Sequence, residues 1–120
     1  MSSERPANTN PTPTVGLTPG EATHLPGLVS VAPGSIVSRL LARSSGGSVT
    51  LFAFSAGQQL STHSAPYDAF LHVLSGRARV TVDGTASELS PGDGILMPAN
   101  HPHAVHAPED MTMQLVMLKG

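Results

Sequence analysis

Gly57-Gln-Gln-Leu-Ser-Thr-His63-Ser-Ala65-Pro-Tyr-Asp68-Ala69-Phe-Leu-His72-Val-Leu-Ser-Gly76 and, after a hairpin, Pro91-Gly92-Asp-Gly-Ile-Leu-Met-Pro98-Ala-Asn100-His101-Pro102-His103-Ala-Val-His106 together hold five of the six histidines of this chain. Each half sets a glycine turn upstream of a histidine at the edge of an apolar run. A reading in strands and turns brings His63 and His103, forty residues apart, within reach of each other.

The residues between and around these halves read as short strands. Arg77 to Val82 alternates Ala78, Val80 and Val82 with Arg77, Arg79 and Thr81. Asp83-Gly84 is a type I′ hairpin signal, because both central positions need positive φ. Ala86 to Leu89 returns antiparallel. Phe70 to Leu74, Ile95 to Met97 and Ala104 to His106 form further strands, and Pro98-Ala-Asn100 turns with Asn in the left-handed region. Met111 to Leu118 sets Met111, Met113, Leu115 and Met117 on one face.

Upstream, Ser48 to Ser55 is apolar on both faces, with Val49, Leu51 and Ala53 on one and Phe52 and Phe54 on the other, so both must be covered. Ile36 to Arg43 has helical spacing, but a length between Gly34 and the Ser44-Ser-Gly-Gly47 turn that suits a strand. Prolines 26 and 33 confine the apolar residues Leu25 to Val31 to loops or a sheet edge. Residues 1–20 are rich in Pro, Thr, Ser, Asn and Gly and have little to bury, so they are expected to form a disordered tail, or else an arm docked on a partner subunit. Eight strands or so with turns every eight to twelve residues imply an all-β sandwich or barrel over residues 21–120.

The two glycine–histidine halves resemble the paired motifs of the cupin family. Gly57, five residues, His63 and then Gly76 match the first, and Gly92, five residues, Pro98, Asn100 and His103 match the second. The resemblance implies a double-stranded β-helix, a jelly-roll barrel with a single cupin domain and a site at its mouth. It also implies a divalent transition metal (Zn, Fe, Ni, Mn or Cu) and, if the chain is an enzyme, oxidation or isomerisation of a small substrate in the manner of an oxygenase or isomerase. The ligand set it implies falls on His63 and His103. The second histidine of the first motif is Ala65 here, and the acidic or third-histidine ligand falls on Ala69, with Asp68 one position out of register.

Imidazole suits these metals, and the chain has no cysteine to offer thiolate or disulfide. His101, in the turn before Pro102, could swing toward the mouth, and Asp68 could supply a carboxylate. His72 lies three positions from Ala69, hence on the opposite face, where it would pack outside or at a dimer interface. His106 has opposite parity to His103, and His24 lies in the weakly organised leading segment. With two ligands an ion would be completed by water and held weakly. Ala65 and Ala69 clear space that Leu51, Val73, Val105 and the methionines would line, which suits a small organic ligand.

A net charge of −2 with 12% charged residues excludes the basic footprint of a nucleic-acid or anionic-membrane binder. No apolar run resembles a signal peptide or a membrane span, so a cytoplasmic location is expected. Apolar side chains on both faces of two strands predict a homodimer. The expected function is binding of a small molecule at the barrel mouth, with or without a loosely held metal. The alternative is a metal-free binding or structural dimeric module.

Overall fold

In a computed structural model, the structure describes residues 16–119. Most of the expected tail lies outside the described residues. Nine strands follow a short 3-10 helix at Leu25–Leu28: β1 Ile36–Ser44, β2 Gly47–Phe54, β3 Gln59–His63, β4 Asp68–Ser75, β5 Ala78–Val82, β6 Thr85–Leu89, β7 Gly94–Met97, β8 His103–His106 and β9 Met111–Leu118. They form a five-stranded sheet in the order β1-β2-β9-β4-β7 and a four-stranded sheet in the order β3-β8-β5-β6, with antiparallel pairing throughout. The fold is the single-domain double-stranded β-helix that the sequence implied. No helix among the described residues is long and apolar enough to cross a membrane.

Strand alternation determines what lies between the sheets. On β9, Met111, Met113, Leu115 and Met117 pair with Phe54, Phe52, Thr50 and Ser48 of β2, and Met113, Leu115 and Met117 pair with Val73, Leu71 and Ala69 of β4. These rows face Ala78, Val80, Leu89 and Val105 of the other sheet, and the two inner faces close one apolar core around Phe54. At about 25 cal/mol per Å² of apolar surface removed from water, this core is the main stabilising term.

Leu51, Ala53 and Leu41 are buried as well, but outside that core. Leu51 pairs with Arg39 and Gln114 on the outer face of the five-stranded sheet, so the expectation that it lines the interior is corrected by its parity. The chain ahead of β1 lies against β1. The Arg39 guanidinium donates to the Leu28 carbonyl, and Gly16 lies so close to β1 that a Cβ there would stand 2.8 Å from the Leu40 oxygen.

Two turns show why their residues are required. Asp83 and Gly84 have φ of 51° and 82°, as the hairpin requires. Gly76 combines φ of 72° with an approach to the neighbouring loop that would put a Cβ 2.1 Å from the Asp110 carbonyl oxygen.

β3 is the one strand the sequence reading did not anticipate. Its residues are mostly exposed, and Ser61-Thr62 interrupts the apolar alternation. The interruption is a β-bulge: Leu60 pairs with Val105 and His63 with His103, so two residues of β3 stand against Ala104 alone. Bulges re-aim the side chains beyond them. Leu60 and His63, three positions apart, therefore share the inner face.

Candidate functional site at the barrel mouth

The β3–β8 pairing places the His63 and His103 rings edge to face, with centroids 4.5 Å apart and planes at 70°. His103 is only 5% exposed, whereas His63 stands open at the lip. Each ring is fixed by the same local device. His63 Nδ1 lies 2.9 Å from the Ser61 carbonyl oxygen, and His103 Nδ1 lies 3.1 Å from that of His101. A carbonyl oxygen carries no proton, so both Nδ1 atoms donate and each neutral ring keeps its lone pair on Nε2. Burial, and then the neighbouring His63, hold the His103 pKa below its ordinary value, against the opposing effect of the His101 carbonyl.

Behind the pair is a cavity of about 60 Å³ between the sheets. Its wall is almost wholly apolar: Leu60, Leu71, Leu115, Val105, the two alanines Ala65 and Ala69, and three methionines, Met97, Met113 and Met117. The two alanines at the motif's ligand positions do open onto the cavity. Val73 belongs to the core but not to this wall.

The other candidate residues are employed elsewhere. Asp68 begins β4 on the face opposite Ala69, and its Oδ1 accepts from the Ala99 backbone at 2.9 Å. With Asn100 N donating to the Ala65 carbonyl at 2.7 Å, it ties the Pro98–Asn100 turn to the start of β4, where Asn100 takes φ of 65°. His101 turns away from the pair and donates Nδ1–H to Asp83 Oδ2 at 2.7 Å, which joins its loop to the β5–β6 hairpin. His72 pairs with Gly94 and Gln114 on the outer face of its sheet, in keeping with its parity. His106 lies outward between Gln59 and Arg79, with a buried Nδ1 that has no partner.

The cupin profile, that of a cupin domain, matches residues 50–119. The chain belongs to the cupin family. A search of curated proteins found no match. Among solved structures, this cupin is similar to a conserved protein of unknown function from Streptococcus pyogenes, at 31% identity over 92% of this chain and 98% of that one, with a TM-score of 0.83. It is similar to a cupin superfamily protein from Desulfitobacterium hafniense, at 25% identity over 91% and 100%, with a TM-score of 0.82. A cupin 2 conserved barrel domain protein from Leptotrichia buccalis is 35% identical over 78% of this chain and 46% of that one, with a TM-score of 0.76.

Cupins often hold metals, and the paired imidazoles with carbonyl-fixed tautomers are suited to ligation. The rest of the shell does not fit a divalent ion. Among the described residues no three His, Cys, Asp or Glu side chains cluster closely enough to hold a metal. Ala65 and Ala69 offer no donor, and the Asp68 oxygen is turned to Ala99. A dication here would lie in an apolar cavity with no anionic partner, which burial penalises heavily.

Proposed function

We propose that this cupin binds a small organic molecule at the barrel mouth, with its polar group against the His63 and His103 Nε2 atoms and its apolar part in the cavity. The observation that carries this reading is the pairing of two lone-pair nitrogens with a wall that is otherwise apolar. Such a site favours a ligand with one hydrogen-bond donor, such as a hydroxyl or phenol. Pockets for drug-sized ligands span about 300–1,000 Å³, whereas the cavity holds about 60 Å³. It therefore accepts a compact group, and any remainder of the ligand extends past the exposed His63.

The active form in this reading is a homodimer. Phe70, Leu96 and Leu118 are exposed by 39%, 54% and 50%. Phe70 pairs with both Leu96 and Val116, so the apolar side chains of β4, β7 and β9 form one outward patch. A second copy of the same face would cover it by a two-fold contact.

The test of binding is a titration of full-length protein with phenol, read from the methyl resonances of Met97, Met113 and Met117. Saturable shifts that weaken in His63→Ala and His103→Ala but persist in His106→Ala are expected. Equal binding by all three variants, or no saturable shift, would remove the site from the barrel mouth.

A further inference from the structure

The outer face of the four-stranded sheet carries a second hollow, of about 250 Å³. Its polar lining follows from register. Gln59 of β3, His106 of β8 and Arg79 of β5 form one cross-strand row, and Thr81 pairs with Ala104 two residues further along. Alternation sets all five on the outward face, since Leu60, Val105 and Val80 between them point to the core. Opposite Ala104 stand the bulge residues Ser61 and Thr62, and both line the hollow. The bulge thus brings two hydroxyls to a position where regular pairing would bring one, with the short Ala104 side chain as a floor between them and Thr81.

Among the described residues that line this hollow there is no Asp or Glu, and Arg79 is the one permanent charge. Glu88, its partner on β6, accepts from the Arg79 Nε. The two terminal nitrogens of that guanidinium have no hydrogen-bond partner among the described residues. End-on, they offer a fork of N–H groups that matches the two oxygens of a carboxylate. His106 adds to the donors. Its Nδ1 is buried with no partner among the described residues, and an unpaired buried N–H is rarer than an unpaired buried acceptor, so the neutral ring carries its proton on Nε2.

We infer that this hollow binds a small polar organic acid, with Arg79 holding the carboxylate and Gln59, Ser61, Thr62 and Thr81 hydrogen-bonding its remaining polar atoms. Charge and shape both select this class. A cation would meet the Arg79 guanidinium with no acid in the lining to offset it. A phosphate dianion would bring two charges to one guanidinium already shared with Glu88. A planar monoanion needs only the end of the fork that Glu88 leaves over. The hollow lies across the sheet from the His63–His103 cavity, so the inference does not rest on the ligand proposed there.

The test is a titration of isotope-labelled, full-length protein with lactate at constant ionic strength, read from the backbone amide resonances of Thr62, Thr81 and Ala104. Saturable shifts are expected there, with the methyl resonances of Met97 and Met113 unmoved. Lactamide, which has the same shape without the charge, should give no saturable shift, and inorganic phosphate should bind more weakly than lactate. These comparisons use wild type alone and are independent of how any variant folds. Arg79→Gln should weaken lactate binding at least about tenfold, the loss expected when a hydrogen bond to a charged group is removed. Arg77→Gln removes the same charge from a neighbour outside the lining and should bind lactate as wild type does. Absence of a saturable shift, an equal response to lactamide, or phosphate binding as tight as lactate would each overturn the site. So would equal affinities in the two arginine variants, or shifts centred on the methionine methyls, which would place the acid in the barrel mouth instead.

Discussion

His63 and His103 meet edge to face across β3 and β8, and each gives its Nδ1 proton to the carbonyl two residues before it. The pair is one exposed ring over one buried ring, and the buried one resists protonation. The unfolded chain takes up a proton on His103 near the reference value of about 6.5, while the folded chain refuses it until lower pH. Stability conferred by this residue is therefore present above about pH 6.5 and lost as pH falls from there toward the folded pKa. The melting temperature should decline between pH 7 and 5, and His103→Phe should flatten that decline. Identical slopes for the two proteins would show that another group controls it.

The apolar patch of β4, β7 and β9 gives a second expectation. Phe70→Glu, or Leu96→Glu, places a charge where a two-fold contact would bury it opposite its own copy. Light scattering should give a dimer mass for wild type at micromolar concentration and a monomer mass for either variant. A monomeric wild type would mean that Phe70 and Leu96 have another role.

At Gly76 the left-handed backbone and the nearby Asp110 carbonyl act together. An alanine there pays about 1–2 kcal/mol for its conformation alone, before the loop shifts to relieve the clash. Gly76→Ala should lower the melting temperature by about 4–8 °C per kcal/mol lost. An alanine at Gly84, a hairpin position with nothing near its Cβ, should cost only the conformational part. Equal losses at the two sites would show that the approach to Asp110 is unimportant.

The barrel was legible because its signals are local. Asp83-Gly84, the Pro98–Asn100 turn and the alternation on β5 and β9 each state their own geometry, and the structure adopts them. Even β1, with helical spacing, was decided correctly by the length available between its flanking turns. The site was legible only in part. His63 and His103 come together as their motif spacing suggested, but Asp68 and His101 have local partners, Ala99 N and Asp83, that no periodicity reveals. The placement of Leu51 failed for a related reason. A strand apolar on both faces does not say which face is inside, and the answer depended on its pairing with β1 and β9.

The two alanines offer a constructive check on the metal question. Ala65 already lines the cavity, so Ala65→His would add a third imidazole beside His63 and His103. Ni(II) retained through gel filtration should approach one equivalent in this variant and exceed the wild-type value. No gain in the variant would show that a side chain at position 65 cannot reach the pair.

The bulge between Leu60 and His63 has a further consequence for how the site is assembled. Regular pairing onward from Leu60 and Val105 would set Thr62, not His63, opposite His103. The same five-residue strand would then present a hydroxyl to the cavity and an imidazole to the solvent. β3 is an edge strand with one bonded neighbour, β8, and so has little to hold it in one frame. The cavity's second nitrogen is thus encoded as a count of residues, and a slip of one place along β8 is enough to erase it without changing a single amino acid.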